Sequence, residues 1–387
     1  MERKKSVAII GGGITGVSIA YHLAKLDRFD ITVIDDPQGK RATTVAAGML
    51  APVTEVNFGE EHLATFMLSA AEYFASIAKT FEDQYKFDIG YRNTGTISVS
   101  LTEKDRKDLE RYVTLYRRLG LSVIEHEGWE VRLIEPLLSP QVNYGISTEI
   151  DQQVDNRSLY ESLKRINGRL SVKTRETRVV KVEQDRDGHY RIFDEGGENS
   201  LFDLVVVANG TSASLIEGDV KEISSFVRPV KGQIIRARHG NDRQAPNKVI
   251  RYSIDSRPGY IVTRSNGEVV IGATSEEVGF DDRLKARGTF ELLHDAIRVV
   301  PVVGEYAIEE INLGFRPASD DNLPIIGAVK ENLWVALGSY RHGILLSMLI
   351  GKRVSEAIAV DENHITGYEI FSPARFVGEI QPTSAQR

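Results

Sequence analysis

One glycine pattern near the start limits what this chain can fold into more than any other feature. Gly11-Gly12-Gly13-Ile14-Thr15-Gly16 follows the apolar run Ser6 to Ile10. It opens a helical pattern, Ile14 to Leu26, with Val17, Ala20, Tyr21 and Ala24 on one face. A second apolar run, Ile31 to Asp35, completes a strand, helix and strand, and such a crossover makes the sheet parallel. Gly11 permits the tight bend, Gly13 lets a pyrophosphate approach the backbone, and Gly16 lets helix and strand pack closely. The helix N-terminus offers Ile14 and Thr15 amides and partial positive charge to the phosphates. Asp35, 19 residues past Gly16, stands where a carboxylate can accept ribose hydroxyls. Asp36 shares that role or faces water. Together these parts favour a nucleotide site over a bare glycine turn.

The remaining chain supplies further strands of this type. Leu204 to Ala208 and Leu333 to Leu337 read as buried parallel strands, and the second runs through Gly338 and Gly343 into a helix ending near Ala359. Leu63 to Phe81 keeps helical spacing, and a more charged helix around Leu109 to Leu119 meets a stop at Gly120. Between Arg228 and Thr274 the pattern changes to short strands. There Gly259 to Arg264 and Glu268 to Ala273 flank the hairpin signal Ser265-Asn266-Gly267. The expected class is α/β with an α+β insert: a Rossmann-type nucleotide-binding domain (1–88, 146–222, 311–387) interrupted by an antiparallel β-rich substrate domain (89–145, 223–310). The tail from Gln381 to Arg387 is expected to be loosely held.

Composition excludes several functions. At net charge −7 and without a basic stripe, nucleic acid is not an expected partner. With no cysteine there is no disulfide, thiolate metal site or sulfur-tethered flavin. No metal site is expected. No apolar run reaches membrane-spanning length, and a cytoplasmic location is expected.

Which nucleotide binds is a question of how many segments touch it. Arg41 to Leu50 is rich in small residues, and Ala46 to Leu50 is too apolar for a mobile surface loop. Val207-Ala208-Asn209-Gly210 ends a buried strand with small residues. A long cofactor met by several dispersed segments points to FAD. Near the C-terminus, Arg316 lies between Phe315 and Pro317, and its planar fork can take a carboxylate in two parallel bonds. A salt bridge to Asp320 or Asp321 explains it equally well. Arg341, in Gly338-Ser339-Tyr340-Arg341-His342-Gly343, lines a substrate cavity or is an ordinary residue of the loop before the last helix. Tyr260 shares a strand face with Val262 and Arg264, as a carboxylate donor or a core residue.

These segments give the chain a resemblance to flavin-dependent amine oxidases of the D-amino-acid oxidase superfamily, and within it to the glycine oxidases of thiamine biosynthesis. The likeness rests on Ile9 to Gly16, Ala46 to Pro52, Arg228 to Gln233, Gly259 to Val262, Ile271 to Asp281, Phe315 to Pro317, Leu323 to Gly327 and Tyr340 to Leu346. It implies tightly but non-covalently bound FAD. The implied contacts are Thr43, Thr44, Ala47, Gly48, Met49, Val179, Tyr340, Arg341, His342, Gly343, Ile344, Leu345 and Leu346. Arg316 would hold the substrate carboxylate, Tyr260 would assist, and Arg341 would lie beside substrate and ring. The implied reaction takes glycine or a similar small amino acid to the imine, then glyoxylate and ammonia, while O2 becomes hydrogen peroxide. A homotetramer is implied as well. Ser339 and His342 depart from the family pattern, which expects histidine and asparagine there, and Asn312 to Phe315 departs too. A D-amino-acid or sarcosine oxidase or dehydrogenase, or a non-catalytic flavin-binding protein, is the competing expectation.

Overall fold

A computed structural model describes residues 3–240 and 245–377. The tail from Gln381 to Arg387 lies outside the described residues. The chain divides into two units, Met1–Thr43, Tyr160–Pro229 and Arg316–Arg387 forming the first, Thr44–Leu159 and Val230–Phe315 the second.

The first unit is built on a six-stranded sheet. Its strands are β1 (Lys5–Ile10), β2 (Phe29–Asp35), β3 (Lys173–Glu176), β4 (Leu204–Val207), β5 (Ile325–Lys330) and β6 (Leu333–Leu337), arranged β5-β6-β4-β1-β2-β3. Ile9 pairs in parallel register with Val33 and with Val206, and Val206 with Trp334. Only β5 runs antiparallel to its neighbour. Both faces of β1, β4 and β6 are covered, which is why Val7 to Ile10, Leu204 to Val207 and Leu333 to Leu337 are apolar without alternation. This matches the expected parallel nucleotide-binding core. A four-stranded sheet from Val179 to Gly218, which no sequence signal marked, belongs to the same unit.

Two helices pack against each other beside this sheet, α1 (Ile14–Ala24) and α2 (Gly343–Ala359). Their contact is close at Gly351, where a Cβ would lie 2.8 Å from both Ser18 O and His22 Nδ1. His22 is buried, and its Nδ1–H donates to Ser18 O at 2.7 Å.

In the second unit the main sheet has eight strands, two of which continue into the first unit. One of these, Val227–Arg238, spans 12 residues and is longer than expected, while Val249–Ile254, Arg257–Thr263 and Glu268–Gly272 are the short strands anticipated here. The alternating apolar positions of Val227–Arg238 feed opposite faces of the sheet rather than one. The expected hairpin forms: Arg257–Thr263 pairs antiparallel with Glu268–Gly272, Tyr260 opposite Gly272. One sheet face, with Ile235, Ile250, Ile261 and Ile271, packs on the helix Ala286–Val299. The other carries Ile234, Val249, Val262 and Val270 and covers Ala47. The helix expected over Leu63 to Phe81 runs Ala64–Thr80, with a 3-10 turn before it and a π turn after. Among the described residues no helix is long and apolar enough to cross a membrane.

Burial pushes the His22 ring down to about 4 from an ordinary 6.5; the bond to Ser18 opposes the fall, and Lys25 and Lys352 add to it. Since the folded value lies below the unfolded one, stability should drop as pH falls from 6.5 towards 4, by up to about 3 kcal/mol. Thermal unfolding across that range should show the slope, and His22→Asn, which keeps a donor but cannot ionise, should flatten it.

Candidate functional site

The glycine turn joins β1 to α1 and is fixed from several sides. Gly11 has φ +110 and donates its N–H to Ile34 O at 2.8 Å. A Cβ on Gly16 would lie 1.9 Å from Gly11 O, so turn and helix can meet only through glycine. Gly12 N–H donates to Asp35 Oδ1 at 2.8 Å, and the Tyr160 hydroxyl donates to Gly12 O at 2.8 Å. Gly13 is different. A Cβ there would meet only Thr43 Oγ1, at 3.5 Å, an ordinary contact. The protein itself does not demand glycine at this position, whereas a group lying against the backbone would. Ile14 N–H donates to Thr43 Oγ1 at 2.9 Å.

Asp35 does more than the spacing rule anticipates. Its Oδ2 accepts from Arg41 Nε at 3.1 Å and more closely from Nη2, while lone pairs remain for a ribose hydroxyl. Burial works against the Arg41 charge, but the bond and charge of Asp35 outweigh it and hold its pKa above the usual value. Arg41 and Tyr160 carry no sequence signal for this role, Tyr160 being 148 residues from the carbonyl it holds. Asp36 Oδ1 accepts Gln38 N–H at 2.8 Å and so closes its own turn.

From the glycine turn a continuous path leads to the two arginines, all within the first unit. A Cβ on Gly11 would lie 2.5 Å from the Asn209 Cα, so that backbone is adjacent. Asn209 Oδ1 is buried with no hydrogen-bond partner among the described residues. A Cβ on Gly210, which has φ +59, would lie 3.9 Å from Pro317 Cγ. Arg316 and Pro317 belong to the strand Ala307–Ser319, and Ala318 forms an antiparallel bridge with Ser339. Arg316 and Arg341 are each two residues from that bridged pair. Asp321 is taken up by Arg375, at 2.7 and 3.1 Å, and by Ser319. Arg341 lies in the 3-10 turn Tyr340–His342, its guanidinium 4.5 Å from the Tyr340 ring centre, with Tyr340 at φ +44. His342, Ile344, Leu345 and Leu346 are buried, so at the start of α2 the backbone is what a ligand can reach. A Cβ on Gly343 would meet only Ser339 Cβ, at 3.9 Å. Neither α1 nor α2 has an acidic residue in its first turn or a side-chain cap from its own N-cap residue. Val179 belongs to the same buried apolar cluster as Ile10 and Ile34.

Thr44, Ala47, Gly48, Met49 and Tyr260 belong to the second unit. Met49 and Tyr260 each pack against the cluster that buries Ala47 and Val262. The Tyr260 ring lies across its cross-strand partner, since a Cβ on Gly272 would come within 2.3 Å of the hydroxyl.

Two helix starts that lack a cap from their own N-cap residues, the unhindered Gly13 and Gly343 and the unsatisfied Asn209 suit a long phosphate-bearing cofactor. The family profile described as FAD dependent oxidoreductase matches residues 6–357. The chain belongs to this family, and its cofactor is FAD. Among curated relatives, a glycine oxidase of Geobacillus kaustophilus is 31% identical over 388 residues, covering 98% of this chain and 99% of the relative. A bifunctional ThiO/ThiG protein of Synechocystis is 30% identical over 99% of this chain, but the chain spans only 56% of that protein. The crystal structure of a glycine oxidase from Geobacillus kaustophilus superposes with a TM-score of 0.85 at 28% identity, over 97% of this chain and 100% of that one.

The glycines separate by experiment. Gly16→Ala should destabilise the apoprotein by at least about 2 kcal/mol through the overlap with Gly11 O. Gly13→Ala should leave apoprotein unfolding within about 0.5 kcal/mol of the parent yet weaken FAD binding at least tenfold. Urea titration and flavin fluorescence quenching measure the two.

Proposed function

We propose that the protein is an FAD-dependent amino-acid oxidase that deaminates glycine, or a similarly small amine, and that its imine product serves thiazole formation in thiamine biosynthesis. The observation that carries this reading is the near-complete coverage of chain and relative in the match to a glycine oxidase. In the proposed reaction, glycine, O2 and water become glyoxylate, ammonia and hydrogen peroxide. Bound FAD supplies the two-electron acceptor for the Cα–N bond, and O2 regenerates it.

Arg316 takes the substrate carboxylate in this scheme. Its strand ends beside the turn of Arg341, along the path that starts at the glycine turn. A fork-to-carboxylate clamp leaves a small substrate little freedom to rotate, which is the main help an orienting residue gives. Arg341 adds a second positive charge, its plane held by the Tyr340 ring. The Tyr260 hydroxyl is assigned a supporting donor role. No side chain is needed as a base at Cα if the amine enters neutral, because its lone pair assists departure of the hydrogen. Cytoplasmic location and a homotetramer are part of the same reading; fractionation and sedimentation test them.

Arg316→Ala should keep its flavin and lose about 100-fold in kcat/KM for glycine, mainly through KM, with Arg316→Lys recovering part. Tyr260→Phe should cost about three- to tenfold. Oxygen uptake with glycine, sarcosine and D-alanine side by side ranks the substrates. A flavin band that fails to bleach under anaerobic glycine, and under the other two amines, would overturn the reading.

A further inference from the structure

Three guanidinium groups of the second unit converge on one short stretch of backbone. Arg157 Nε donates to Thr44 O at 3.1 Å. Arg236 Nη2 donates to Thr44 O at 3.3 Å and to Ala46 O at 3.2 Å. Arg264 Nη2 donates to Ala47 O. The next carbonyl, Gly48 O, accepts Val154 N–H at 2.9 Å. In a planar trans peptide the N–H points opposite to the C=O. Tying back the carbonyls of Ala46, Ala47 and Gly48 therefore turns the N–H groups of Ala47, Gly48 and Met49 the other way. Those of Ala47 and Gly48 have no acceptor among the described residues.

Arg264 is unusual among the three. Arg157 and Arg236 each pair with a carboxylate, Glu310 and Glu268. Arg264, with 3% of its surface exposed, bonds only neutral acceptors among the described residues: Ala47 O, Val154 O, Gln153 Oε1 and Asn156 Oδ1. A buried cation without a bonded counter-ion is costly, and packing alone does not explain its presence. Gly48 is matched to it: φ is +70, and a Cβ would lie 2.1 Å from Val154 O and 2.9 Å from Arg264 Nη2.

We propose that Arg264, backed by Arg236 and Arg157, is a positioning residue that presents the Ala47 and Gly48 N–H groups as donors to acceptor atoms of the flavin cofactor. This rests on the reading that the Thr44 to Met49 segment contacts FAD. Burial pushes the Arg264 pKa down to about 10, which still leaves the group charged at neutral pH. A charged fork polarises the carbonyls it holds, and each polarised peptide is a better donor at its N–H.

The test is FAD titration into apoprotein of the parent, Arg264→Ala, Arg264→Lys and Arg157→Gln, with far-UV circular dichroism as the check on folding. Folded Arg264→Ala should bind FAD at least about tenfold more weakly, with a shifted visible flavin band. Millimolar guanidinium should recover much of that affinity where equal sodium chloride does not, and Arg264→Lys should fall between parent and alanine. Binding within twofold of the parent, or a loss that neither guanidinium nor lysine relieves, would overturn the proposal. Should Arg264→Ala not fold, Arg157→Gln decides: about three- to tenfold weaker binding supports the proposal and an unchanged Kd overturns it. Parent apoprotein that takes up FAD while Gly48→Ala binds it equally well sinks the underlying loop contact instead.

Discussion

The contact between Gly16 and the carbonyl of Gly11 sets the geometry of the first unit. With no side chain at position 16, the first turn of α1 settles directly onto the end of β1. A second glycine contact, at Gly351, settles α2 onto α1. Two helix starts are thereby fixed relative to one sheet without a long side chain between them. Partial charge at those starts has a short range, so their usefulness to a diphosphate or an electron-rich ring depends on that closeness.

Arginine serves two different purposes in this chain. Where it pairs with a carboxylate, as Arg41 with Asp35 or Arg251 with Glu55, it settles the charge of an acid that would otherwise be partly buried alone. Where it meets carbonyls, as Arg264 does, it shapes backbone. Only a planar group with donors in a fixed fork can hold neighbouring carbonyls at set angles, and lysine lacks that rigidity. The same residue type thus fixes charge at one place and peptide orientation at another.

Much of the nucleotide-binding core was legible in the sequence because its signals are local. β1, α1, β2, β4, β6 and α2 each announce themselves through unbroken apolar runs or helical spacing, and the glycines mark the turns. The hairpin around Asn266 was legible for the same reason. Other parts depend on contacts between distant positions, and no window along the chain contains them. Tyr160 on Gly12 and the arginines on Thr44 to Ala47 belong here. The strands of the four-stranded sheet escaped notice because their short, half-exposed, charged sequences, such as Val179–Gln184, lack a run of apolar residues. Strand Val227–Arg238 carried no strand signal of its own because its charged residues Lys231 and Arg236 break the apolar pattern although both are buried.

The pairing of α1 with α2 joins segments made far apart in synthesis. At roughly 5–20 residues per second, a ribosome takes on the order of tens of seconds to travel from Ser18 to its partner Met348. Through that interval the apolar flank of α1 has no helix to lie against, and the cofactor-binding half stays open. Closure must wait for translation of α2, so a transcript cut short before that point would yield a polypeptide with α1 uncovered.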